Sequence, residues 1–334
     1  MQYQRPDDEP NWEKYLAYYL GQVEELCTKY GPIHGLWFDG VQRTERQWRG
    51  RYVYKLIKRW QPQAVVNDRA LYGDFFTPER ALAVHAAAAG YMVEACQSVA
   101  QAAWGYRSDT ALYSTPELLH SMLRMNAAGG NYLLNLGPRA DGSLPETWLT
   151  RMREMGEWLR VHGEAVYGTA GCPLQEESPE RLYTRRGNTL YLHLLTWPAT
   201  DRLELTRLRR APRAARLLGT EQPLEVRHQG GRIVIAGLPA SPPSALANVI
   251  ALDCSAGPVF RPLPPAPTPS ANAWNCSFIV TRKSRPAPVA STPRSNRTLP
   301  SPSISTPSPG TNVRTSWRTT GCSSSCMATT CPTN

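Results

Sequence analysis

The stretch GPIHGLWFDGVQ, residues 31–42, decides how this chain is read. An apolar, strand-forming run, IHGLWF, ends in a lone carboxylate, Asp39, with a glycine behind it. Asp-Gly after an apolar run is a turn signal, so a surface turn is one reading. The other places Asp39 at the carboxyl end of a buried parallel strand, where α/β architectures keep their ligand sites. The flanking sequence separates the two.

Upstream, residues 11–29 repeat apolar side chains at helical spacing through Trp12, Leu16, Leu20, Val23 and Cys27, and Gly31-Pro32 stops that helix. Downstream, a second helix is expected over about 45–60, on Val53, Leu56/Ile57 and Trp60. A strand AVVN follows at 64–67, then a long loop DRALYGDFFTPER at 68–80 and a short strand near 91–95. Thr115-Pro116 opens a third helix that closes at Gly129-Gly130, and NYLLNL is the strand after it. Ser143 to Glu146, SLPE, reads as a capping box that starts a last helix running to about His162. Strand and helix thus alternate about four times, which predicts a parallel sheet with crossover helices, half the units of an eightfold barrel.

From about residue 178 the period changes to two. RLYTRR, TLYLHLL, RLEL, PLEVRH, RIVIAG and NVIALD read as short strands between Gly, Asn and Pro turns, a small antiparallel β-sandwich. After Gly257 the chain turns rich in Pro, Ser, Thr and Arg and cannot bury a core, so it is expected to be disordered. The fold class is therefore α/β, half of a (β/α)8-like barrel, then the sandwich, then the tail. The expected domains are 1–172, 173–257 and 258–334.

Charge follows the same division. The formal net charge is +10, of which +8 lies between Cys254 and the C-terminus, where no Asp or Glu occurs. That leaves +2 for residues 1–253, so the basic balance belongs to a tail and not to a binding face. The loss of acids at Asp253 is abrupt, and an out-of-frame or spliced-on tail is the expectation. Cys27, Cys96 and Cys172 show no metal or redox spacing and are expected as buried single thiols, while Cys254 is grouped with the tail. The N-terminus lacks the apolar core of a signal peptide, and no apolar run is long enough to span a membrane. Neither a nucleic-acid nor a membrane partner is expected, and nothing in the sequence bears on oligomeric state.

Strand alternation puts Ile33, Gly35, Trp37 and Asp39 on one side of the first strand. Arg69 ends the next strand in the same way, and the loop beyond carries Asp74 and Glu79. Carboxylates from neighbouring strand ends, beside an arginine and aromatics, suit glycoside hydrolysis, which needs one nucleophile and one proton donor.

Six ordered islands then carry a family resemblance. YLGQVEELCTKYGPIHGLWFDG, VVNDR, GDFFTPER, VEACQSVAQAAWGYRSD, AAGGNYLLNLGPRADGSLPE and GEWLRVHGEAVYGT resemble the catalytic domain of α-L-fucosidases of glycoside hydrolase family 29. The resemblance implies a retaining double displacement that releases terminal α-L-fucose from glycans, with no metal and no cofactor. It implies Asp39 as nucleophile and Glu79 as acid and then base. Glu94 is the runner-up acid, although a structural role suits it better, because Val93 stands where the family's motif has Trp. Arg69 would bond sugar hydroxyls, and Trp37 and Trp104 would wall the pocket against the apolar methyl of fucose; Trp104 as core is the alternative. Glu79 is expected to be the less solvated carboxylate of the pair. His34, His85, His120 and His162 are read as structural.

The family's barrel begins before the first strand seen here, so the resemblance also implies a missing N-terminal half. The alternative to a hydrolase is accordingly an inactive fragment or a fucose-binding module. A weaker third reading is nucleic-acid binding through the basic tail. Members of the family are often secreted, periplasmic or lysosomal.

Overall fold

A computed structural model describes residues 11–40, 44–172, 179–220, 222–229, 232–255 and 257–260. The extreme N-terminus and the tail from residue 261 lie outside the described residues, and with them the expectation of a disordered tail. The tail's boundary falls later than expected. Arg209 donates to the carbonyl of Val259, and Phe260 pairs with Leu208 and packs on the sheet's core.

The first helix, α1 (Trp12–Lys29), forms where the helical spacing predicts it and buries Leu16, Val23 and Cys27. It leads into β1 (Gly35–Leu36), a strand of two residues inside the longer apolar run. The expected helix over 45–60 is two helices, α2 (Glu45–Trp48) and α3 (Gly50–Trp60). They break at Arg49, whose φ is 55°, and the break lets Gly50 lie directly against the Ala70 carbonyl. A Cβ at residue 50 would sit 2.2 Å from that oxygen, so only glycine fits there.

Strand β2 (Val65–Val66) pairs parallel with β1, Gly35 beside Val65 and Leu36 beside Val66. A single-turn 3-10 helix, Asp68–Ala70, follows. The expected long loop over 68–80 is then only half a loop. Residues 75–79 run as an irregular parallel strand between β2 and β3 (Glu94–Ser98), with bridges Asn67–Phe75, Phe76–Val93 and Glu79–Cys96. Pro78 lacks an N–H, and Arg80 turns left-handed at φ 53°, so the ladder stays broken and carries no strand signature. Gly73 lets the chain double back: a Cβ there would meet the Asn67 carbonyl at 2.3 Å.

Helix α4 (Val84–Ala88) was not expected, and β3 begins three residues later than read. Helix α5 (Thr115–Ala128) is capped by Ser114, which forms a capping box with Glu117; Thr115 is already inside the helix. Strand β4 (Asn131–Asn135) pairs parallel with β3 over all five residues. Helix α6 (Glu146–His162) lacks the predicted box: Ser143 bonds Asp141 instead, and Pro145 stands at the cap without a side-chain bond.

The antiparallel part starts before residue 173, since β5 (Ala170–Gly171) already pairs with β6 (Arg181–Arg186). The remaining strands are β7 (Thr189–Leu194), β8 (Arg202–Leu205), β9 (Ala214–Leu217), β10 (Pro223–Gln229), β11 (Arg232–Ala236) and β12 (Asn248–Asp253). Of these, β5 and β9 were missed, being short and flanked by Gly or Pro. Their order is β5-β6-β7-β12-β9-β10-β11-β8. The start of β10 pairs with β9 and the rest with β11, so one strand serves both halves. Leu190, Leu192, Ile250 and Leu252 bury against Leu203, Leu205, Ile233 and Ile235 from the other half, so the two halves close on one core. The alternate residues of β7 and β12, Tyr191, Val249 and Ala251, face the other way and pack on Leu118, Trp148 and Trp158 of α5 and α6. Cys254, grouped with the tail by sequence, is buried in the sheet's core.

Candidate active site

The site forms where the parallel strands end. The ladder between β1 and β2 stops at Leu36 and Val66, and beyond it the side chain of Asn67 takes over. Its amide donates to the Phe38 carbonyl (2.9 Å) and accepts from the Phe38 N–H (2.7 Å). Asn67 is fully buried, and its amide acts as one further rung that holds the backbone between Trp37 and Asp39.

Arg69 is the centre. Its Nη1 donates to Asp39 Oδ1 (2.7 Å) and to Glu79 Oε1, a shorter contact. Its guanidinium carbon lies 4.4 Å from the centroid of the Trp37 ring, a cation–π contact. Trp37 Nε1 in turn donates to Glu94 Oε1 (2.9 Å). Asp39, Glu79, Glu94, Arg69 and Trp37 are therefore gathered into one cluster. Burial opposes the charge on Arg69, yet its hydrogen bonds to Asp39 and Glu79 raise its pKa further, so it stays a cation. The Arg69 side chain is 14% exposed, against 69% for Asp39 and 46% for Glu79. Glu79 is thus the more shielded carboxylate of the two.

Because both oxygens sit within 2.7 Å of a single nitrogen, they are at most twice that distance apart. That bound on the nearest oxygens is compatible with the ~5–5.5 Å carboxyl separation of retaining glycosidases. Glu79 is placed by sheet pairing with Cys96 and not by a free loop. Cys96 borders the cluster: burial pushes its thiol up to about 11 while Arg69 pulls the other way.

Trp104 joins the group one step removed. The guanidinium of Arg80, the residue after Glu79, stacks 4.3 Å from the Trp104 ring centroid, and Arg80 also donates to the carbonyls of Ala100 and Gln101. Trp104 is 37% exposed, so it is not core. Asp74, the other carboxylate on the segment after β2, is engaged by Tyr54, Lys58 and the Val66 N–H. Burial would raise its pKa, but these partners outweigh that and hold it below the ordinary carboxylate value. Asn67, Thr77 and Arg80 were missed by sequence reasoning; the polar run directly after an apolar strand, VVNDR, was the available signal for Asn67, and no local pattern marks Thr77 or Arg80. Among the described residues no cluster of His, Cys, Asp and Glu could hold a metal ion, and no helix is long and apolar enough to cross a membrane.

The comparisons agree on one family. Residues 1–164 match the family model described as alpha-L-fucosidase. The tissue alpha-L-fucosidase of Bos taurus is 31% identical over 248 residues, 68% of this chain and 51% of its own length. The plasma alpha-L-fucosidase of Homo sapiens is 31% identical over 225 residues, 61% of this chain and 48% of its own. Alpha-L-fucosidase isoenzyme 1 from Paenibacillus thiaminolyticus superposes with a TM-score of 0.63 at 28% identity, covering 75% of this chain and 64% of that one. The Thermotoga maritima alpha-fucosidase, solved with a mechanism-based inhibitor, superposes with a TM-score of 0.60 at 27% identity, covering 73% and 58%. This chain belongs to the alpha-L-fucosidase family. It spans about half the length of the curated relatives it matches.

Proposed function

We propose that this chain carries the catalytic pair of a retaining α-L-fucosidase, built on the C-terminal half of a (β/α)8-like barrel. The observation that supports the reading is the single Arg69 nitrogen shared by Asp39 and Glu79, which draws one oxygen of each carboxylate toward a common point, as a pair acting on one glycosidic bond requires. In that reaction an Asp39 oxygen attacks the anomeric carbon of fucose while Glu79 gives its proton to the departing oxygen. A covalent fucosyl ester forms on Asp39. Glu79, now a carboxylate, takes a proton from water, and the water oxygen displaces Asp39 to regenerate the enzyme. An Arg69 N–H and a proton compete for the same Glu79 oxygen, so substrate hydroxyls would take over Arg69 Nη1 before the first step. Trp37 and Trp104 would face the C5 methyl, and Glu94 would steady Trp37 through its indole N–H. The substrates would be fucosylated glycans or glycoconjugates, and neither metal nor cofactor enters a step.

A second reading, fucose binding without turnover, is favoured by the openness of the site, where Asp39 is 69% exposed. Such exposure admits water and weakens electrostatic stabilisation of the transition state. Proton NMR of the first product formed from 4-nitrophenyl α-L-fucoside separates the readings. Retention predicts that α-L-fucose appears first and then mutarotates. β-L-fucose appearing first would overturn the double displacement, and saturable fucose binding with no product would establish the binding module.

A further inference from the structure

Arg69 reaches both carboxylates with one nitrogen, and that requires the rest of its guanidinium to be held. The holder is Thr77. Arg69 Nε donates to the Thr77 hydroxyl (3.0 Å), and Nη2 donates to the Thr77 carbonyl (3.1 Å). A guanidinium is planar and presents its donors as a fixed fork, so anchoring Nε and Nη2 on one side sets where Nη1 points. The hydroxyl is itself fixed. It donates to Asp68 Oδ1 (2.7 Å), which also accepts from the Thr77 N–H (3.0 Å). A threonine hydroxyl has one proton and two lone pairs. With the proton spent on Asp68, only lone pairs face Arg69 Nε. Thr77 is 5% exposed, so water does not compete for these bonds.

We propose that Thr77 is a positioning residue that aims the Arg69 guanidinium at Asp39 and Glu79, with Asp68 locking the Thr77 hydroxyl in the accepting orientation. The inference deepens the fucosidase reading and rests on it for its consequence in turnover, while its geometric content stands apart from turnover. Asp68 and Arg69 are neighbours on one 3-10 turn, and Thr77 lies two residues before Glu79 on the irregular strand. The relay therefore ties the turn carrying the arginine to the segment carrying the proposed acid. Asp39, from beyond β1, joins this relay through Arg69 Nη1. Loss of the Thr77 hydroxyl should release the fork from its anchor while leaving every member of the pair in the chain.

The test uses the full chain and two readouts. In nitrogen-15 NMR of the arginine side chains, the Arg69 Nε–H is assigned by its disappearance in Arg69→Lys. Thr77→Val is expected to speed its exchange with water at least about 10-fold, whereas Thr77→Ser keeps it within about 3-fold of wild type, since only buried, bonded donors are protected. Turnover of 4-nitrophenyl α-L-fucoside should fall about 100-fold in Thr77→Val, mostly in kcat, the scale set by an ~1 Å misplacement of a catalytic group. Thr77→Ser should restore it. If Thr77→Val does not fold, Thr77→Ala against Thr77→Ser gives the same contrast. Unchanged Arg69 exchange in the hydroxyl-less variants would overturn the proposal. So would turnover that falls equally in Thr77→Ser. A wild-type chain that shows the exchange contrast but no turnover would count against the fucosidase reading and support the positioning of Arg69.

Discussion

The parallel part that carries the site and the antiparallel sheet behind it hold themselves together in different ways. In the sheet, β7 and β12 pair over six residues each and are buried on both faces, so ladder bonds and apolar contact act together. In the parallel part, β1 and β2 pair over only two residues, and polar side chains continue the work. Asn67 bonds the Phe38 backbone, Asp74 the Val66 N–H, Asp68 the Thr77 N–H, and Gln61 the Cys27 and Gly31 carbonyls. The difference teaches why the site lies where it does. Where strands stop pairing with each other, backbone ends and side chains become free to converge, and a few polar residues decide their positions.

The largest effect that sharpens this contrast is expected in the sheet. Ile250→Ala, at a fully buried position of β12, should lower unfolding stability by about 2–5 kcal/mol and reduce hydrogen-exchange protection across the whole sheet. Asn67→Ala should cost less, about 2 kcal/mol, because it strands the N–H and C=O of Phe38 without removing apolar volume. Its loss of protection should stay within β1 and β2. Equal loss of protection in both regions for Asn67→Ala would break the comparison.

A smaller and more graded effect comes from acid. His162 of α6 and His193 of β7 are buried at the junction of helix and sheet. Burial, reinforced by the neighbouring His162, drives the His193 imidazole down to about 3, and burial also lowers His162 against a bond to the Trp158 carbonyl. In the unfolded chain these groups bind protons near pH 6.5, whereas folded they do not. Their contribution is therefore complete above pH 6.5 and lost as pH falls toward about 3, at roughly 1 kcal/mol per pH unit for His193. Asp74 in the parallel part behaves differently in range. Its pKa is lowered, so its contribution is complete above the ordinary value of 3.8 and lost only below it. Near-ultraviolet circular dichroism and urea titrations at pH 7 and 5.5 should show the sheet junction weakening first. His193→Asn should flatten that dependence; an unchanged slope would contradict the assignment.

How much was legible in the sequence follows the same contrast. Alternation at period two between Gly, Asn and Pro turns announced six of the eight strands of the sheet, and β7 and β12, buried on both faces, read as nearly continuous apolar runs. Helical spacing located α1 and α3, whereas start and stop signals located α5, between Thr115-Pro116 and Gly129-Gly130, and α6, after SLPE. The segment 75–79 was read as a loop because Pro78, Thr77 and two charged neighbours erase any strand pattern, although its backbone pairs on both sides. The break at Arg49 depends on a close approach to Ala70, a contact distant in sequence and invisible to local patterns. At the site, Asp39, Arg69, Glu79 and Trp37 were singled out from strand ends and family likeness, and the structure gathers them. Asn67, Asp68 and Thr77 were not singled out, since their importance lies in which backbone and side-chain atoms they bond, and spacing does not encode that.

The central claim is that Asp39 forms the bond to fucose, and the most direct measurement is azide rescue. Asp39→Gly, prepared in the full chain alongside wild type, is assayed with 4-nitrophenyl α-L-fucoside with and without azide. The account predicts wild-type turnover that the substitution abolishes. It also predicts that azide enters the vacated space, attacks the anomeric carbon from the face Asp39 would have used, and releases nitrophenol with β-L-fucosyl azide as product. Undiminished hydrolysis by Asp39→Gly in the absence of azide would contradict the account.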